Sequence, residues 1–146
     1  MNYGWLVTLH LLAAIAFAGT VFFEVIILEA AGGEVPRAVR LRMEQAIGNR
    51  AVRIMPWVLL TLYGAGISMA WHYRSALANP WSDPFGMMLS IKILLAISVF
   101  GHFITAMLWK KRGKLSGERS HRLHISIFIH VLLIVVLAKG MFYLRF

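Results

Sequence analysis

Four stretches of this chain, near residues 5–29, 54–76, 87–109 and 124–143, are almost wholly apolar. In a helix, about 20 residues at ~1.5 Å each cover the ~30 Å hydrocarbon core of a bilayer, and every one of these stretches reaches that length. Inside the core, a helix satisfies its own backbone N–H and C=O groups. Four spans in 146 residues leave no room for a separate soluble domain, and the chain is 60% hydrophobic, too apolar for a water-soluble domain of this size. Short connections make neighbouring spans run in opposite directions. The expected fold is therefore all-α: an integral membrane four-helix antiparallel bundle, a single membrane domain over residues 1–146. The first run, "MNYGWLVTLHLLAAIAFAGT", has no basic segment before it and reads as a mature helix rather than a signal peptide.

A net charge of +9 raises the question of nucleic acid, but its distribution argues against that. Arg37, Arg40, Arg42, Arg50 and Arg53 follow the first span. Lys110, Lys111, Arg112, Lys114, Arg119 and Arg122 follow the third, and only Arg74 and Arg145 fall on the other side. Positively charged connections stay cytoplasmic, so both termini are expected outside, in a bacterial inner membrane. The basic residues set topology, with some share in contact with anionic lipid. Trp5, Trp71 and Trp81 mark the outer interface, and Trp57 and Trp109 the inner one. Residues 36–47, "PRAVRLRMEQAI", predict a short amphipathic helix begun by Pro36 and ended by Gly48, and "ALANPWSDPFG" predicts the outer loop.

An ionisable side chain in a span costs roughly 2.5–3.5 kcal/mol, so those present invite a functional reading. Depth sorts them into two layers. His10, His72 and Lys92 lie toward the outer ends of their helices; Glu24, His102 and His130 lie toward the inner ends. At ~100° per residue, each histidine shares a stripe with small or hydroxylated residues. These are Ala14 and Ala18 near His10 and Glu24, Thr61, Ala65 and Ser68 near His72, Ser98 and Thr105 near His102, and Ser126 near His130. Small residues leave room for close approach or a flat ligand, and hydroxyls satisfy ring nitrogens. Each residue also has a plainer role. A lone membrane histidine is usually a packed polar group, His72 suits the interface, and Lys139 is placed to snorkel. His121 and His124 belong to the basic connection and read as solvated. Glu24 reads as a proton-relay group or as the partner of an arginine such as Arg53.

The absence of cysteine excludes disulfides, thiolate metal sites, iron–sulfur clusters and covalently attached haem. Neutral imidazoles from facing helices suit haem b. Depth pairs His102 with His130, and pairs His10 with His72 or leaves His10 to another partner, for one or two haems, with Arg50 and Arg53 available to propionates. Copper competes, through His10, Met69, His72, Met87 and Met88; methionine is also common packing material.

"FGMMLSIKILLAISVF" resembles the third helix of CopD-like membrane proteins, in which a short Tyr/Phe-Gly turn enters a helix with an intramembrane lysine. The HemJ-like family, linked to protoporphyrinogen IX oxidation, is similar in its four helices, first-helix histidine and third-helix lysine. Those positions match His10 in "LVTLHLLAAIAFAG" and Lys92 in "LSIKILL"; "RIMPWVLLTLYGAGISM" resembles the Arg-led second helix with its mid-span glycine. The resemblance implies haem b in the bundle, His10 as an axial ligand, and Lys92 near the cofactor or substrate. The function expected is redox or electron transfer with a quinone or porphyrinogen-type partner, as a haem-dependent oxidoreductase or as a carrier. Protoporphyrinogen IX oxidase is the enzymatic alternative and copper handling the transport alternative. A homo-oligomer, or an anchor for a redox partner subunit, completes the set.

Overall fold

The computed structural model describes residues 2–114 and 117–143. Arg145, expected on the outer side, lies outside them. All elements among the described residues are helical. Four helices are long and apolar enough to cross a membrane: α1, Tyr3–Gly32; α2, Arg37–His72; α4, Pro84–Lys111; and α5, Gly117–Tyr143. A short helix, α3, occupies Arg74–Ala78. Large apolar side chains such as Leu12, Leu60, Leu94 and Val136 are each 60% or more exposed, which suits lipid and not water. The chain divides into two compact units, Met1–Ala70 and Trp71–Phe146.

In the first unit, Asn2 caps α1 by accepting the Gly4 N–H at 3.1 Å. The buried residues Leu6, Ala13, Phe17 and Val21 recur at intervals of four and seven along one face. From Phe23 to Leu28 the helix widens into a π-helical segment that carries Glu24, then resumes as α-helix to Gly32. The Pro36 carbonyl accepts the first bonds of α2, from the N–H groups of Val39 and Arg40.

The separate amphipathic helix expected to end at Gly48 is instead continuous with the second span, as one 36-residue helix. A glycine inside a helix costs only ~1 kcal/mol, and good helix formers flank this one. Pro56 also lies inside α2, where its missing N–H and its ring cost about 3 kcal/mol or more without ending the helix. Arg40 lies over Gly32 and pairs with Glu44 at 2.6 Å, tying the start of α2 to the end of α1. At the other end α2 stops at His72, short of the expected residue 76, and the chain turns at Tyr73 into α3.

In the second unit, Asp83 caps α4, its Oδ1 accepting the Gly86 N–H at 2.8 Å with Pro84 in the first turn. The span thus starts three residues before the sequence reading placed it. Helices α4 and α5 pack against each other and run in opposite directions, because Ser98 meets His130 while His102 meets Ser126. Met88, Leu89 and Met141 form a buried cluster ringed by Tyr73, Leu77, Phe85, Ile93 and Leu137. Phe85 also meets the rings of Tyr73 and Phe142 at 5.2 and 5.8 Å.

The first turn of α4 rests on α3 so closely that a Cβ on Gly86 would come within 2.8 Å of the Ala76 carbonyl oxygen. Backbone cannot yield there without moving α3. Gly86→Ala is expected to destabilise the fold by about 1–3 kcal/mol, as overpacking does, seen as a lowered unfolding midpoint in detergent; an unchanged midpoint contradicts this contact.

Candidate functional site

In hydrocarbon a serine or threonine hydroxyl has few partners, and the usual one is the carbonyl a turn earlier in its own helix. Thr8, Thr20, Thr61, Ser68, Ser90 and Thr105 all make that bond, to Gly4, Ala16, Trp57, Gly64, Gly86 and Gly101, at 2.8–3.0 Å. Ser98 and Ser126 do not. Their hydroxyls cross from one helix to the other and meet histidine rings.

The result is a closed, reciprocal network. The His102 Nδ1–H donates to the Ser98 carbonyl at 2.7 Å, and the His130 Nδ1–H donates to the Ser126 carbonyl at 2.7 Å. The Ser126 hydroxyl meets His102 Nε2 at 2.9 Å, and the Ser98 hydroxyl meets His130 Nε2 at 3.1 Å. The two ring centroids are 5.3 Å apart, with planes tilted by 53°.

A repeated spacing builds this arrangement: Ser98-x-x-x-His102 on α4 and Ser126-x-x-x-His130 on α5. A histidine side chain leans back toward the preceding turn, which brings Nδ1 to the carbonyl four residues earlier. A carbonyl only accepts, so Nδ1 carries the hydrogen and Nε2 is the lone-pair nitrogen of the neutral ring. Both serine hydroxyls then donate. Val99 and Ile127, next in sequence to the serines, are buried at 3% and 5% exposure.

A second histidine is held the same way in the first unit. The His10 Nδ1–H donates to the Leu62 carbonyl on α2 at 2.9 Å. The ring lies against Gly66, where a Cβ would sit 3.1 Å from its Cε1. Leu62 and Gly66 are one turn apart, so a strip of bare α2 backbone receives the imidazole. Of the two glycines in "YGAGI", Gly66 makes this contact, while a Cβ on Gly64 would meet nothing within 4 Å.

The remaining candidates fall as follows. Glu24 is half-buried in the π-helical segment. His72 is exposed at the end of α2, as an interfacial residue would be, and Arg53 is exposed on the same helix. Lys92 is half-buried on α4 and makes no hydrogen bond or ion pair among the described residues. At spacings of three and four residues it shares a helix face with Leu89 and Met88. Met88, counted toward copper, is spent on packing there. The Lys139 Nζ reaches the Tyr143 hydroxyl at 3.4 Å and lies 4.7 Å from that ring's centroid, in keeping with a snorkelling lysine. Among the described residues, no group of three or more His, Asp or Glu side chains converges as a metal site would. The donors brought together are the pair His102 and His130.

No protein family, curated protein or solved structure matches this chain.

The cross-helix bonds can be measured separately from the carbonyl bonds. Interhelical hydrogen bonds in membranes contribute about 0.6 kcal/mol on average and up to ~1.7 kcal/mol. A double-mutant cycle of Ser98→Ala with His130→Ala, read by unfolding in bicelles, is expected to show coupling in that range. Ser98→Ala with His102→Ala is expected to show little, because alanine keeps the carbonyl that His102 uses. The reverse order contradicts the geometry.

Proposed function

We propose that this chain is a haem b-binding, multi-pass protein of the bacterial inner membrane, an antiparallel four-helix bundle with both termini outside, working in redox or electron transfer. The observation that carries the reading is the facing of His102 and His130 across the α4–α5 interface, each with Nδ1–H tied to a carbonyl. A ligand histidine has its other ring nitrogen held in this way, which sets the tautomer and aims Nε2.

The donor set fits a b-type haem: two neutral imidazoles and no thiolate. His102 and His130 would hold the iron through Nε2, in place of the serine hydroxyls. Haem there would supply one-electron chemistry inside the bilayer. The chain's own residues orient and insulate: the Ser98 and Ser126 carbonyls fix the rings, while Val99 and Ile127 exclude water beside them. His10, aimed by Leu62 and Gly66, would ligate a second haem. Arg53 would meet a propionate, and Glu24 would accept a proton. Lys92, a half-buried cation with no counter-charge among the described residues, would attract an anionic group on a quinone or porphyrinogen-type partner. The resemblance to CopD-like and HemJ-like proteins supports the same cofactor; protoporphyrinogen IX oxidation and copper handling are the forms it suggests.

A second reading rests on the same atoms. All four ring nitrogens of His102 and His130 already have partners, so the network works by itself as a clasp between α4 and α5. A reduced-minus-oxidised spectrum of the purified chain, with pyridine haemochrome quantification, separates the two. About one or two b haems per chain are expected, with loss in His102→Ala and in His130→Ala and retention in His121→Ala. No haem, after expression with haem supplied, leaves the clasp and directs the search to copper.

A further inference from the structure

The end of α4 is a built turn. Arg112 N–H donates to the Leu108 carbonyl, Gly113 N–H to that of Lys110, and Lys114 N–H to that of Trp109, at 2.9–3.1 Å. Gly113 adopts φ of +65°, the left-handed conformation that ends helices and that glycine takes without strain. The first turn of α5 is fastened to this cap. Arg119 Nη1–H donates to the Lys114 carbonyl at 3.0 Å, and the guanidinium lies 5.5 Å from the Trp109 ring centroid.

This arrangement concentrates Lys110, Lys111, Arg112 and Lys114 around one cap. None of these side chains makes a hydrogen bond or ion pair among the described residues. Glu118, the one carboxylate in sequence from residue 84 to residue 146, is taken by Arg122 at 2.5 Å. The carbonyls of the α4 C-terminus attract Lys110 and Lys111 weakly, and they cannot balance a cluster of this charge. The tryptophan beneath gives the depth: Trp109 is an interfacial side chain, so the cations beyond it lie at the level of lipid phosphates.

We propose that this cap binds the headgroups of anionic phospholipids. The chemistry recognised is a phosphodiester at the membrane surface. Lysine and arginine offer donors to its oxygens, and the apolar helices on either side hold the acyl chains' level. The orientation of the guanidinium of Arg119 is fixed by Trp109 and the Lys114 carbonyl, while the four surrounding cations stay free to close on the phosphate. Charge near a negatively charged lipid surface gains about fivefold in affinity per cation.

The test uses the full chain in nanodiscs of phosphatidylcholine mixed with phosphatidylglycerol, with retained lipid counted by native mass spectrometry. The wild type is expected to retain phosphatidylglycerol in preference. Arg112→Gln/Lys114→Gln leaves Lys110 and Lys111 to hold topology, and is expected to lower that preference by about 25-fold. The same charge removed from the other basic connection, Arg42→Gln/Arg50→Gln, is expected to leave most of it. Equal retention of both lipids by the wild type overturns the proposal, as does an undiminished preference in Arg112→Gln/Lys114→Gln. Circular dichroism of each variant confirms that helix content is kept.

Discussion

A polar group in hydrocarbon must find its partner inside the protein, because no water is there to serve. That constraint explains how the hydroxyls are arranged. Six of them turn back on their own helix, which gives each an acceptor. The two that reach across, Ser98 and Ser126, each lie one turn before a histidine whose N–H takes the serine's own carbonyl. Two identical four-residue spacings on opposed helices therefore lock into one another. Each histidine uses its helix's serine carbonyl and receives the other helix's serine hydroxyl. Register between α4 and α5 follows from this exchange and from the Met88–Leu89–Met141 cluster at the far end.

The same exchange decides what chemistry the interface can do. With Nδ1–H committed to a carbonyl, Nε2 is the nitrogen that faces the neighbouring helix in both rings, and it is the nitrogen a metal or a proton would meet. His10 reaches the same tautomer by a different route, through a carbonyl on another helix and a glycine that lets the ring approach. Lys92 stands apart from both. It is a cation carried into a span with no acceptor from the described residues, a cost that a membrane helix keeps only where something outside the helix compensates it.

Much of this was legible in the residues. Apolar length gave the four spans, and depth matching paired His102 with His130. Spacing at ~100° per residue put Ser98 and Ser126 on the histidine faces. Other features were not. Angles on a helix assign a face but not the direction of a hydroxyl, so Thr61 and Thr105 looked like partners for rings and instead bond the carbonyls one turn earlier on their own helices. Gly48 looked like a helix end because glycine often is one; here the strong helix formers around it outweigh a penalty of ~1 kcal/mol. The helix start at Asp83 had a readable signal, an Asp-Pro pair before an apolar run, hidden by the loop-like composition around it. The role of Gly66 was invisible, since "YGAGI" does not reveal which glycine meets a residue more than fifty positions away.

The central claim is the reciprocal serine–histidine network, and nitrogen-15 solid-state NMR of the chain in bilayers, labelled at histidine and prepared without added haem, tests it most directly. The account predicts that His102 and His130 both carry the proton on Nδ1, with Nε2 as acceptor of a serine hydroxyl, and that Ser98→Ala shifts the Nε2 signal of His130 while sparing that of His102. A ring protonated at Nε2, or a Ser98→Ala shift confined to His102, contradicts it.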